Sequence, residues 1–434
     1  MKKNIKSSKK KPENSEEKRS QASNPHSKHP LNSSYSYYYQ CFCCEKKFAP
    51  DSIEGNDYYL CPECDKKNKK GMPLKGVLQI FYDYQELKKK YTKTYISKIV
   101  PGNIFAFSDL IPLNKNVPKI FQNLALPTNS FKKIYHPKQE NLFVLDETHN
   151  PTFSYKDRAS VLVAAKAMEL GKNTICAAST GNAASSISGV CSTVGLQAKI
   201  FVPASIPQEK LIQIKIYGAD VKKIDGDYDK AFDLAIEASH KNGWYNRNTA
   251  FNPLTVEGKK SAAYDIFLQN KGKMPDKIFV PVGDGVIISG IYKGFYDLLQ
   301  LDLITKIPQL VAVQSENSCA VIDFLLDNEF ILKKATTLAD SISVNAPRNL
   351  FLAAESVKKS SGIGIKVTDD EILRAEKYLG QKQGLFVEPA AAAAWAGYEK
   401  YIKENNGFKE KTVVLLTGCG LKDAKNARKI VEKI

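Results

Sequence analysis

The chain predicts an α/β protein whose sheets are mostly parallel and covered on both faces, preceded by a small ribbon built on cysteine pairs. Two observations predict this. Short, near-continuous apolar runs alternate with helical patterns from residue 142 to the end. Strands of that composition belong to parallel sheets buried by helices on each side. Ahead of them, Cys41 and Cys44 are followed after sixteen residues by Cys61 and Cys64, the two C-x2-C knuckles of a four-thiolate ribbon. With 434 residues, 43% of them hydrophobic, the chain can fill one large or two medium cores.

The chain begins with charge. The first 30 residues hold nine Lys or Arg against three Glu, part of a net charge of +17. Rich in Ser, Asn, Pro and Lys and poor in apolar residues, residues 1–40 are expected to be a disordered basic tail. Such a tail can meet a nucleic acid or an anionic surface. A merely solvated tail is the preferred reading, because the rest of the positive excess is spread along the chain. No apolar stretch approaches the roughly 18–20 residues of a membrane span, and the basic N-terminus lacks the apolar core of a secretory signal. Nine cysteines, an odd number, fit a reducing compartment and a cytoplasmic protein better than a disulfide scaffold.

Residues 41–75 come next as the ribbon. Each knuckle turns two sulfurs toward one ion, and two knuckles complete a tetrahedron. A structural zinc on Cys41, Cys44, Cys61 and Cys64 is therefore expected. Without metal the same four would serve as reduced core thiols. Cys43 lies between the first pair and is expected to point elsewhere. Residues 76–140 are less regular and are expected to wrap the surface.

The body starts at the apolar run 142–145, which reads as a buried strand. The turn after it carries Lys156, and a helical pattern runs on from Asp157. A lysine at a strand-to-helix junction stands where α/β proteins bind ligands. If its surroundings lower its pKa, it can form a Schiff base; taken alone, it would be a surface residue at a helix start. Further strands are read at 174–179, 198–203, 277–283, 309–315 and 412–418. Three of these end in loops with chemistry. Ser179, Thr180, Gly181 and Asn182 open a helix whose fresh N–H groups suit a carboxylate. Gly283, Asp284 and Gly285 precede another helix, where backbone N–H groups can cradle a phosphate. Thr417 puts a neutral hydroxyl at the end of the last strand. Each alone is an ordinary turn. With Lys156 they supply an amine, a carboxylate clamp, a phosphate cradle and a hydroxyl, each at a strand end.

In order, the chain carries E-T-H-N-P-T-F-S-Y-K-D-R at 147–158, S-T-G-N at 179–182, N-P-L-T-V-E-G at 252–258, V-P-V-G-D-G at 280–285, F-V-E-P at 386–389 and L-T-G-C-G-L-K-D at 416–423. With the cysteine ribbon, this series resembles threonine synthase and its relatives, pyridoxal-phosphate enzymes of fold type II (tryptophan synthase β-like), over residues 41 to 434. The resemblance implies a two-domain enzyme. Residues 76–169 and 256–434 would form the large cofactor-binding domain, and 170–255 a smaller mobile α/β domain. It implies pyridoxal 5'-phosphate as cofactor, a small amino-acid substrate and a homo-oligomer, a dimer.

The resemblance also implies roles. Lys156 would hold the cofactor covalently and then act as the mobile acid–base. Asn182 would bond the cofactor's 3'-oxygen. Gly283, Asp284, Gly285 and Val286 would hold its phosphate, and Thr417 would meet its ring nitrogen. Ser179, Thr180, Gly181 and Asn182 would clamp the substrate carboxylate. The implied reaction converts O-phospho-L-homoserine and water to L-threonine and phosphate. Two departures bear on that substrate. Where such enzymes commonly carry Arg in N-P-x-R-x-E-G, this chain has Thr255. Where they commonly carry G-N-G-G-N, it has Gly283, Asp284, Gly285, Val286 and Ile287. Arg247, Lys259 and Lys260 are the cations that can compensate.

Two alternatives stand beside this. One keeps the fold and changes the amino-acid substrate: β-replacement on O-phosphoserine, as in cysteate synthases, or deamination of serine or threonine. Release of phosphate or of ammonia separates them. The other is a nucleic-acid-binding protein on a retired enzyme fold. The intact Lys156 and Asn182 argue against it, and visible absorbance of the purified protein decides it.

Overall fold

Residues 35–114, 116–226, 228–405 and 409–431 are described by the computed structural model. Tyrosines open its first strand, β1 (Tyr37–Cys41), which is followed by β2 (Lys47–Phe48) and β3 (Leu78–Tyr82). Next come β4 (Phe131–Lys133) and β5 (Leu142–Asp146). Four strands come after these, β6 (Thr174–Ala178), β7 (Gln197–Pro203), β8 (Asp220–Ile224) and β9 (Tyr245–Asn246). The last are β10 (Lys277–Pro281), β11 (Gln309–Ser315), β12 (Ile363–Val367) and β13 (Thr412–Leu416). They build three sheets: an antiparallel one in the order β2-β1-β3, a six-stranded one in the order β12-β11-β10-β13-β5-β4, and a four-stranded one in the order β8-β7-β6-β9.

The apolar runs explain the two larger sheets. Every residue of β10 and of β13 is buried, as strands covered on both faces must be. All pairings within the four-stranded sheet are parallel. In the six-stranded sheet only β4, at the edge, runs antiparallel. Parallel register brings strand ends together: β13 pairs Leu416 with Asp146 of β5, and Val414 with Phe279 of β10. The loops after β5, β10 and β13 therefore leave one edge of the sheet side by side.

Five helices frame these loops: α1 (Asp157–Glu169), α2 (Asn182–Val194), α3 (Leu254–Lys259), α4 (Val286–Gln300) and α5 (Pro389–Glu404). The alanine run of α5 is buried on the six-stranded sheet. Small residues let it lie close: a Cβ on Gly397 would stand 2.5 Å from the Val313 side chain. Among the described residues no helix is long and apolar enough to cross a membrane.

Two expectations are corrected here. Residues 1–34 of the expected basic tail lie outside the described residues. Residues 35–40 do not belong to a tail, because they lead into and form β1. The hydroxyls of Tyr37 and Tyr39 donate to Glu54 at 2.7 and 2.8 Å, and Lys166 of α1 reaches the same carboxylate at 3.2 Å. That knot ties the ribbon to the body. Residues 76–140 do not merely wrap the surface either. Leu78, Ile80, Phe107 and Leu110 are buried in the main core, and Phe107 packs on Tyr264 with ring centroids 4.5 Å apart.

The ribbon sulfurs converge. Cys41, Cys44, Cys61 and Cys64 place all four Sγ atoms within 4.8 Å of one another, with Cys41–Cys64 at 3.8 Å and Cys44–Cys61 at 3.7 Å. A zinc–sulfur bond of ~2.3 Å gives a tetrahedron edge of roughly 3.8 Å, so the donor set fits zinc in size and chemistry. Backbone N–H groups of Cys43 and Cys44 point at the Cys41 sulfur, the support that a metal-bound thiolate receives from its surroundings. Purified protein is expected to hold about one zinc per chain, read by metal analysis. Cys61→Ser is expected to lower the melting temperature while kcat on the folded fraction stays within about two-fold, because a closed site acts through folding. Metal-free protein with an unchanged melt would defeat this.

Candidate active site

The loops after β5, β6, β10 and β13 meet at one cavity of about 340 Å³, within the range of small-molecule sites. Its lining includes Lys156, Ser179, Thr180, Gly181, Asn182, Gly283, Asp284, Gly285, Val286 and Thr417. All the residues that the sequence suggested for amine, clamp, cradle and hydroxyl thus share one space. The ribbon cysteines do not line it.

Lys156 ends the turn between β5 and α1. The turn is pinned to the last strand: Ser154 bridges Gly418, and the Tyr155 N–H donates to the Thr417 carbonyl at 2.9 Å. The Tyr155 hydroxyl donates to the Lys259 carbonyl at 2.8 Å. Lys156 is thereby fixed beside Thr417 from one side and α3 from the other. Burial lowers its pKa against the pull of Glu388, and the charge of Arg247 lowers it further. The amine thus sheds its proton more readily than an ordinary lysine.

Gly283, Asp284 and Gly285 form a cup at the start of α4. Gly285 sits at φ 87°, and a Cβ there would stand 2.4 Å from the Ala353 Cβ. Only glycine meets both demands. No side chain caps α4, so the N–H groups of its first turn are open to an anion. Asp284 does not oppose that. Its Oδ1 accepts from the Arg348 N–H at 3.1 Å. Burial raises its pKa, although Arg348, Lys156 and Lys259 pull the other way. The aspartate shapes the loop.

Asn182 begins α2, and its Nδ2 donates to both oxygens of Glu388, at 2.9 and 2.8 Å. Glu388 lines the cavity as well and is 4% exposed. Burial raises its pKa, against donation from Asn182 and the charge of Lys156. A Cβ on Gly418 would lie 2.6 Å from its Oε1, so the glycine after Thr417 leaves room for this carboxylate. The sequence places the V-E-P run among the motifs, yet sequence reasoning gives Glu388 no role. A signal exists all the same: a glutamate just before a helix-opening proline stands at an N-cap position, which Ser, Thr, Asp or Asn usually fills.

The three candidate cations separate. Lys260 turns away into a buried network, with Glu257 at 2.5 Å, Asp297 at 2.9 Å and the Tyr82 hydroxyl at 3.1 Å. It is no longer a candidate, because its charge is already matched. Lys259 lines the cavity. Arg247 is buried beside it, with Nη1 donating to Thr249 at 3.1 Å. Thr255, in the position of the expected arginine, is buried and donates its hydroxyl to the Asn252 carbonyl at 2.7 Å.

The geometry has counterparts. Residues 125–420 match the model of a family described as pyridoxal-phosphate dependent enzyme. The threonine synthase of Methanocaldococcus jannaschii is 31% identical over 392 residues, 88% of this chain and 92% of that protein. That of Methanosarcina acetivorans is 30% identical over 403 residues, 92% and 95%. Among solved structures, the processed form of threonine deaminase isoform 2 from Solanum lycopersicum superposes with a TM-score of 0.59 at 20% identity, covering 80% of this chain and 92% of that one. Maize serine racemase gives 0.58 at 19%, covering 67% and 87%. At such identities these two likenesses show the fold.

Proposed function

The chain belongs to the family of pyridoxal-phosphate-dependent enzymes, and from that premise we propose that it converts O-phospho-L-homoserine and water to L-threonine and phosphate. The observation that carries this reading is the meeting of Lys156 with the 179–182 loop, the glycine cup and Thr417 in one cavity. Relatives named threonine synthase, matched over most of their length, support the substrate.

The residues present fit the cofactor. The glycine cup and the uncapped start of α4 suit its phosphate, Asn182 and Thr417 offer neutral polar groups to its ring, and Lys156 offers the amine. When bound, the cofactor withdraws electrons from the substrate's Cα. The protein moves protons and holds the ends. Ser179, Thr180, Gly181 and Asn182 clamp the substrate carboxylate. Lys156, its pKa lowered by burial, takes the Cα proton and then one from Cβ. The Cγ–O bond breaks with its electron pair leaving on phosphate. With each proton passed on before the next is taken, Cγ gains one, water adds its oxygen at Cβ and gives its remaining proton to the departing phosphate, and Lys156 returns one to Cα. Glu388 fixes the side-chain amide of Asn182 and so the face it presents.

In this reading residues 76–169 and 256–434 hold the cofactor, and residues 170–255 form the smaller domain whose 179–182 loop closes over substrate. The enzyme is taken as a cytoplasmic dimer. Its nine unpaired cysteines support the reducing compartment, and the dimer is carried over from the resemblance.

The test supplies purified holoenzyme with O-phospho-L-homoserine and measures phosphate and threonine. Equal molar release of both is expected. Ammonia from threonine or serine, or cysteate from O-phosphoserine and sulfite, with no phosphate from O-phosphohomoserine, would overturn the substrate and leave the family intact.

A further inference from the structure

Two buried cations, Lys259 in the cavity wall and Arg247 behind it, have no carboxylate partner among the described residues. Arg247 follows the edge strand β9 and is 1% exposed. Its Nη1 donates to Thr249, which lines the cavity. Its Nε and Nη2 are buried and meet no acceptor among the described residues. Lys259 closes α3, is also 1% exposed, and lines the cavity. Its Nζ is held by one neutral group, the Thr255 carbonyl at 3.0 Å.

The next residue shows what a structural lysine looks like here. Lys260 is equally buried, and two carboxylates take its charge. Among the described residues, neither Arg247 nor Lys259 has such a partner. The two also feel each other. Burial, then the charges of Arg247 and Lys156, pushes the Lys259 ammonium well below its ordinary range. Burial brings Arg247 down to about 10. Buried cations left unpaired are costly. The cost is recovered when an anion enters, and a guanidinium with Nε and one Nη open presents the planar fork that grips a phosphate by two bonds.

We propose that Arg247 and Lys259 receive the dianionic phosphate of the substrate, and so determine its specificity for a phosphate-ester amino acid. The inference rests on the proposed reaction and names the residues that select its substrate. The glycine cup at α4 has backbone donors of its own for the cofactor's phosphate, which leaves this pair for a second anion. Lys259 stands one helical turn after Thr255, and its amine lies against the Thr255 carbonyl, so a cation is supplied at this turn from a neighbouring position. As the Cγ–O bond breaks, the same pair would hold the departing phosphate.

The test uses holoenzyme, so that the cofactor fills the cup. Arg247→Gln and Lys259→Met are compared with wild type for KM on O-phospho-L-homoserine, calorimetric affinity for inorganic phosphate, cofactor absorbance and melting temperature. Each variant is expected to raise KM and weaken phosphate binding by roughly 10- to 100-fold, the loss of one charge-assisted contact. Cofactor absorbance stays as in wild type. Lys259→Arg restores much of the loss. The melting temperature does not fall, since no satisfied ion pair is broken. Unchanged phosphate affinity and KM would overturn the proposal. So would loss of the cofactor at ordinary concentrations, which would assign the pair to the cofactor's phosphate. Phosphate binding that depends on the pair in an enzyme inert toward O-phosphohomoserine would uphold the anion site while the proposed reaction falls. Should Arg247→Gln fail to fold, the Lys259 variants carry the test.

Discussion

Lys156→Ala is expected to lower turnover by at least about 10³-fold while the protein stays folded. The substitution removes the amine from a turn that the fold holds against both Thr417 and α3, through the Tyr155 N–H and the Tyr155 hydroxyl. Neighbouring lysines do not stand in. Lys259 is tied to the Thr255 carbonyl, and Lys260 lies in its carboxylate network. Stability should not suffer, because burial already works against the Lys156 ammonium, and alanine needs no solvation. The direction of that pKa shift also sets a pH dependence. A lowered pKa puts the neutral amine within reach at lower pH than for a free lysine, so activity that needs the base is lost as pH falls through the lowered value. Two measurements decide. Borohydride reduction of wild-type holoenzyme followed by peptide mapping should place the cofactor on the peptide containing Lys156. The alanine variant should show neither label nor turnover. A label on another lysine would overturn the assignment.

Breaking the buried ion cluster beside that turn should give the largest loss of stability. Arg158, two residues on from Lys156, grips Glu147 with two bonds at 2.8 and 2.7 Å. It reaches Asp265 at 2.8 Å and Ser261 at 3.0 Å. Asp265 in turn accepts the Gly102 N–H at 2.8 Å. None of the residues Arg158, Glu147, Asp265 and Ser261 is more than 4% exposed. Removing one partner leaves a charge buried without compensation, a loss of about 3–5 kcal/mol. Arg158→Ala, which strands both Glu147 and Asp265, is therefore expected to lower the unfolding free energy by that amount, read from the denaturant midpoint, and Glu147→Ala by less, because Arg158 keeps Asp265. The pair Glu147→Leu with Arg158→Leu should recover part of the Arg158→Ala loss, because position 147 then carries no charge and only Asp265 has lost its ion pair. A loss below about 1 kcal/mol in Arg158→Ala would mean that water or a rearranged partner reaches the cluster.

How much of this could be read in advance depended on the kind of physics involved. Lys156, the 179–182 loop, Gly283 to Val286 and Thr417 could be singled out, because each follows an apolar run; parallel register brings Lys156, the glycine cup and Thr417 to one edge of the six-stranded sheet, while the 179–182 loop comes from the other sheet. Cys41, Cys44, Cys61 and Cys64 could be grouped by spacing alone. Glu388 could not be given a role, because its work is to hold Asn182, more than two hundred residues away. Residues 35–40 read as tail because polar composition dominates the segment before them. Their tyrosines find an acidic partner, Glu54, only across the folded ribbon.

Composition and periodicity by themselves determined the α/β architecture, the parallel strands, the cysteine ribbon and the loops at strand ends, because these follow from local backbone preference and from which faces must be buried. Charge was decided elsewhere. Lys259 and Lys260 are neighbours of the same type in one helical segment, and nothing local tells them apart. The tertiary structure turns one into the cavity and surrounds the other with Glu257, Asp297 and Tyr82. A buried ion's worth is set by the groups packed around it, and those come from distant parts of the chain.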